Sequence, residues 1–160
     1  MKYTESQINK ISKDLQNKIK GKVLSDPFSR GRYSTDSSLY QITPLGAVLP
    51  KDQNDVLNLM EYSQKNSIPL LARGGGSSQC GQTVNEAIVL DYSMHQNKIL
   101  ELNLEEKYVW VQPGIVLDSL NEYLKPHGLW FPVDVSTSSR ATIGGMTGNN
   151  SCGSRSLYYG

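Results

Sequence analysis

A chain of 160 residues can bury one core, built as at most two small lobes. Its 16 Lys and Arg offset 15 Asp and Glu to a net charge of +1, which excludes the basic face of a nucleic-acid binder. No apolar run approaches the roughly 18 residues of a membrane span, the polar start carries no secretory signal, and Cys80 and Cys152 offer neither metal spacing nor a disulfide framework, so a cytoplasmic, reduced setting is expected.

The chain opens with a predicted helix. Thr4 and Gln7 form a capping box, and Ile8, Ile11, Leu15 and Ile19 recur at helical spacing until Gly21. Residues 25–46 read as polar and irregular, with turn signals at Asp26-Pro27 and Gly31. Ala47-Val48-Leu49 reads as a short strand. Asp52 can cap a second helix with an apolar stripe of Val56, Leu59 and Met60, closed by Asn66 and Pro69. Residues 68–72 return as a strand, and a strand–helix–strand order predicts parallel pairing. Beyond it, 87–91 reads as a buried strand, and 98–104 with 107–112 as a hairpin around Glu105-Glu106. Leu117, Leu120 and Leu124 mark a helix ending at Pro126 and Gly128, and Leu129-Trp130-Phe131 reads as a short strand. Residues 136–160 have almost no periodic pattern and read as loop.

Two glycine clusters stand out. The first, Arg73-Gly74-Gly75-Gly76-Ser77-Ser78-Gln79-Cys80-Gly81, lies between two predicted strands. Three glycines without Cβ atoms let backbone N–H groups converge, and two hydroxyls follow, a donor array suited to a nucleotide diphosphate. A Walker A loop is excluded because no Lys precedes Thr83. A dinucleotide fingerprint is excluded because position 79 is Gln79 and a strand, not a helix, follows. The second cluster runs from Thr142 to Gly153. Ordering so many glycines costs entropy, which close approach to a flat ligand would offset, and Asn149 and Asn150 can serve a heteroaromatic edge.

Arg73 to Ser78 with Gly81, then Val111-Gln112-Pro113-Gly114, then Pro132-x-Asp134, then Thr142 to Met146 with Asn149 and Gly153, resemble the FAD-binding domain of the vanillyl-alcohol oxidase / p-cresol methylhydroxylase (PCMH-type) superfamily. The chain looks most like its bacterial FAD-linked oxidases of the glycolate oxidase and D-lactate dehydrogenase group. The segments Tyr33–Tyr40 and Ala47–Pro50 also fit the opening of that domain. The resemblance implies an α+β fold, with a small parallel β-α-β lobe over about 33–84 and a strand-rich lobe with helices over about 85–160, preceded by a helix and extended arm over 1–32.

It also implies site roles. Gly74, Gly75, Gly76, Ser77 and Ser78 would bind the pyrophosphate, and Gly81, Gln82 and Thr83 would continue the wall toward the flavin. Pro113 and Gly114 would lie near the adenine. Pro132, Asp134, Ser136, Thr142, Ile143, Gly144 and Gly145 would line the FAD, with Asn149 and Gly153 nearing the isoalloxazine ring. Arg73 would either offset phosphate charge or be solvated. No histidine stands in the first loop, where some family members attach flavin covalently, so FAD is expected to be non-covalent. His95 and His127 read as surface or structural residues, and Cys152 as a small buried thiol.

The implied activity is hydride transfer to FAD from the α-carbon of a 2-hydroxy acid. Two alternatives stand beside it: a non-catalytic nucleotide-binding or interaction module, and an NADPH-dependent flavin reductase on the same scaffold. The family's domain continues past the residues matching Tyr158-Tyr159-Gly160, and a substrate domain follows. The chain is therefore expected to be C-terminally truncated, with its substrate contacts supplied by the missing domain, its electron acceptor unknown, and a sheet edge through which copies could pair.

Overall fold

The computed structural model describes residues 3–159. Helix α1 (Glu5–Gln16) starts at the expected capping box, where Thr4 accepts from the Gln7 N–H and the Gln7 side chain accepts from the Thr4 N–H. It ends before Gly21, with Ile19 buried beyond it. Strand β1 (Lys22–Leu24) follows, and then α2 (Pro27–Arg32). This second stretch, expected from the sequence to be irregular, is a helix. Asp26 caps it, accepting from the Ser29 N–H at 2.9 Å, with Pro27 in the first turn.

Strand β2 (Gly46–Leu49) leads into α3 (Gln53–Asn66), capped by Asp52 as expected, and then into β3 (Leu70–Arg73) and β4 (Ile88–Asp91). Met60 of the expected apolar stripe is 54% exposed; Leu59 and Ser63 take the buried face. These strands form one sheet in the order β1-β2-β4-β3. Strands β2 and β3 do not pair with each other. Both run parallel to β4, which lies between them, while β1 is antiparallel to β2. Strand β4, expected in the second lobe, thus completes the first sheet. Both faces of its centre are covered. Val48, Ile88 and Leu90 pack with α1 and α3 through Ile8, Leu15 and Leu59, and Ala47, Leu49 and Val89 pack with Tyr33 on the other side.

Parallel neighbours need a long return connection, most often a helix. Between β3 and β4 that connection is residues 74–87, which contain no helix and include the first glycine cluster. The sheet order therefore places this loop at the end of β3, from which it must travel back to the start of β4.

The remainder is a hairpin, β5 (Ile99–Asn103) and β6 (Tyr108–Val111), then α4 (Leu117–Leu124), a 3-10 turn (Lys125–His127), α5 (Ile143–Gly148) and α6 (Ser156–Tyr159). Leu120 and Leu124 pack on Ile99, Leu102, Val109 and Val111. The expected strand at 129–131 does not form: the Phe131 N–H donates to the Asn121 side chain at 2.7 Å rather than to a ladder. Residues 136–160, read as loop, hold α5 and α6, both of which are too short to show a period. Among the described residues no helix is long and apolar enough to cross a membrane.

A buried carboxylate joins the N-terminal segment to this sheet. Asp55 is 1% exposed and accepts from the N–H groups of Lys20 (2.7 Å), Gly21 (2.8 Å) and Lys51 (2.8 Å). Removing it strands three donors, each costing on the order of 1 kcal/mol or more. Asp55→Ala is expected to lower stability by about 3 kcal/mol in urea denaturation; a loss below about 1 kcal/mol would show that the carboxylate does not join the two segments.

Candidate functional site

The two glycine clusters meet. Gly74 lies against the Thr142 side chain and Gly75 against the Arg140 carbonyl, each so close that a Cβ would overlap its neighbour. Gly76 turns back at φ 65° onto Arg73, where a Cβ would stand 2.6 Å from Nη2. A left-handed residue placed this close to a side chain calls for glycine. Gly81 packs in the same way on the Tyr40 ring.

The N–H groups of Gly74, Gly75, Gly76, Ser77, Ser78 and Gln79 have no acceptor among the described residues. None of these residues is buried, so the row is open to an acceptor supplied by water or by a ligand. Below the row stands the Arg73 guanidinium, and no bulky side chain intrudes from the glycines. This donor set fits an anionic, oxygen-rich group such as a diphosphate.

Side chains then link the clusters. Ser78 Oγ bonds Gln82 Oε1, and Gln82 Nε2 donates to Asn149 Oδ1 at 2.9 Å. Thr83 is held from the other side: its N–H and hydroxyl donate to Asp36 Oδ2 at 3.4 and 3.0 Å. Burial works against charge on Asp36, but the hydrogen bonds from Ser38 and Thr83 prevail and hold its carboxyl below the usual range. Sequence reasoning missed Asp36, Tyr40 and Arg140 as parts of this site. The Asp36-x-Ser38 turn, where Ser38 N–H donates to Asp36 Oδ1 at 2.8 Å, was the one local signal available.

The second cluster is organised differently. Thr142 caps α5 by accepting from the Gly145 N–H at 3.2 Å. The Ile143 N–H donates to the Ile115 carbonyl at 2.9 Å and the Gly144 N–H to the Pro113 carbonyl at 2.8 Å. A Cβ at Gly144 would stand 2.6 Å from Pro113 Cβ. Thr142 thus meets the first loop at Gly74, and the amides of Ile143, Gly144 and Gly145 that follow it are already engaged by the protein. Pro113 and Gly114 lie behind them, and the Gly114 N–H donates to the Gln96 carbonyl at 2.7 Å. A groove of about 390 Å³ borders this turn, lined by Ser93, Gly114, Ile115, Val116, Ser119 and Tyr123.

Asp134 and Gly153 come together with each other. Asp134 accepts from Ser154 Oγ at 2.6 Å and from the Arg155 N–H at 3.0 Å, and these bonds hold its carboxyl below the usual range. Gly153 rests on the Asp134 backbone. Among the described residues no hydrogen bond joins Pro132, Asp134 or Ser136 to the first glycine loop. Cys152, expected to be a buried thiol, is exposed, as is Cys80.

Residues 44–160 match the family model described as an FAD binding domain. The chain belongs to that FAD-binding family. Among curated relatives, it is 44% identical over 145 residues to D-2-hydroxyglutarate dehydrogenase of Pseudomonas putida, covering 89% of this chain and 14% of that protein. It is 31% identical over 158 residues to glycolate oxidase subunit GlcD of Bacillus subtilis, covering 94% of this chain and 33% of that one. Among solved structures, p-cresol methylhydroxylase with substrate bound superposes with a TM-score of 0.70 at 20% identity, over 91% of this chain and 30% of that one. The fold is therefore the PCMH-type FAD-binding fold. The chain spans between a seventh and a third of the length of these relatives.

The contact between the clusters has a direct test. Gly75→Ala forces a methyl into the Arg140 carbonyl and is expected to cost about 1–3 kcal/mol in stability and to weaken FAD binding, read by calorimetry and flavin fluorescence quenching. Wild-type stability and affinity in this variant would show that the contact is not tight.

Proposed function

We propose that this FAD-binding domain holds FAD non-covalently, with the pyrophosphate on the amides of Gly74, Gly75, Gly76, Ser77, Ser78 and Gln79, as part of a flavin-dependent oxidoreductase acting on a 2-hydroxy acid. The row of unpaired N–H donors carries the reading. Bound there, FAD would supply the hydride-accepting chemistry, which belongs to the cofactor. The protein's share is to bind and orient it.

Gln82 and Asn149, already bonded to each other, stand where both clusters can reach one ligand, with Gly81, Thr83 and Gly153 extending that wall. Ile143, Gly144 and Gly145 shape the site by close approach, since the first two spend their N–H groups on Ile115 and Pro113. Pro113 and Gly114, beside the groove, take the adenine end. Pro132, Asp134 and Ser136 complete the lining, with Asp134 acting through the 153–155 turn it holds. The 2-hydroxy-acid class rests on relatives whose names specify hydroxyglutarate and glycolate. On this reading a further domain supplies the substrate contacts. The non-covalent reading rests on Ser77 and Ser78 standing in a loop without histidine.

The protein is expected to bind FAD with quenching of flavin fluorescence and to release all of it on acid precipitation. In the full-length enzyme the flavin band should bleach anaerobically on adding D-2-hydroxyglutarate, D-lactate or glycolate. A protein that never takes up FAD overturns the proposal. Flavin that stays with the precipitate overturns its non-covalent part, and bleaching by NADPH but by no 2-hydroxy acid overturns the substrate class.

A further inference from the structure

Arg73 is the last residue of β3 and stands immediately before the glycine loop. Its guanidinium donates to three backbone carbonyls: Thr35 at 2.8 Å from Nη2, and Thr83 at 3.1 Å and Tyr33 at 3.5 Å from Nη1. It also lies over the Tyr33 ring, 5.5 Å from the centroid. Among the described residues no carboxylate stands within ion-pair distance of it.

The three carbonyls come from two places. Thr83 is where the loop returns after Gln82, so one bond runs from the residue before the loop to the residue after it. Tyr33 and Thr35 belong to the arm that follows α2, and Tyr33 is itself fastened by its hydroxyl to Asp91 Oδ2 at 2.7 Å on β4. One planar fork therefore closes the neck of the loop and fixes that neck to an arm anchored on the central sheet. A compact ammonium on a flexible stem cannot span three carbonyls in this arrangement.

We infer that Arg73 is a positioning residue: its guanidinium clasps the neck of the loop, holding residues 74–82 in the shape that lines up their free amides, and it acts on a bound diphosphate through the loop rather than by contact. This differs from both sequence-based alternatives, a phosphate-neutralising charge and a solvated strand end. As a statement about a cofactor loop it rests on the proposal that the loop binds the FAD pyrophosphate. As a statement about the loop's shape it does not.

Arg73→Lys keeps the charge and loses the fork, and Arg73→Gln loses both. Two measurements on each variant separate the roles. Without FAD, backbone ¹⁵N order parameters over 74–83 should fall toward about 0.6 or below, while those of β2 and β4 stay near about 0.85. With FAD, both variants should bind about tenfold or more weakly, with Lys giving no rescue. Wild-type order parameters over 74–83 in both variants would overturn the clasp whatever the ligand. Wild-type FAD affinity in Arg73→Lys with loss in Arg73→Gln would overturn it in favour of direct charge. If Arg73→Gln fails to fold, seen as order lost in β2 and β4, Arg73→Lys alone decides by the same two readings. Loosened loops in a protein whose wild type binds no FAD would support the clasp and overturn the pyrophosphate reading instead.

Discussion

Gly74 and Gly75 touch Thr142 and Arg140 with no room for a side chain between them. This approach of the glycine backbone to the Thr142 side chain and the Arg140 carbonyl is the constraint on which the rest of the site depends. It ties the end of the four-stranded sheet to the segment entering α5, and so joins the two halves of the chain where their glycines are densest. It accounts for part of the glycine content directly: ordering glycine costs more entropy than ordering any other residue, and here the return is an approach that no other residue permits. One side of the loop is sealed against 140–142, the amides from Gly76 to Gln79 have no acceptor among the described residues, and the Gln82–Asn149 bond closes the far end.

The two clusters divide the work. The first offers donors. The second offers shape, because the amides of Ile143, Gly144 and Gly145 are already bonded to Ile115, Pro113 and Thr142. Stability of the cradle comes from residues with no exposed chemistry of their own. Asp36 holds Thr83 from one side and Arg73 from the other, and Tyr33 ties their common support to Asp91. Burial, with the adjacent Asp91 carboxylate, pushes the Tyr33 phenol well above its usual range, so it remains a neutral donor to that carboxylate at any physiological pH.

Much of this was legible where local chemistry governs. The capping boxes and caps at Thr4 and Asp52, the hairpin around Glu105-Glu106, and α4 with its stop at Gly128 all follow from side chains within a few residues of one another. So did the glycine loop between two strands, and the order of motifs led to the correct family and cofactor. The strand order was not legible. That β4 enters between β2 and β3 depends on pairing between segments far apart in the chain, and nothing in Ile88–Asp91 alone distinguishes a centre strand of the first sheet from one of a second. The contacts of Arg73 were not legible for the same reason, because its partners are carbonyls on residues 33, 35 and 83. The short helices α2, α5 and α6 span too few residues to show a period.

The central claim is that the free amides of 74–79 are the diphosphate site and those at the start of α5 are not. A ¹⁵N–¹H correlation spectrum titrated with FAD tests it most directly. The account predicts large shifts and slowed solvent exchange at Gly75, Gly76, Ser77, Ser78 and Gln79, with the Ile143 and Gly144 amides retaining the exchange protection their internal bonds confer. Shifts centred on Ile143 and Gly144, with the loop amides unmoved, would contradict it.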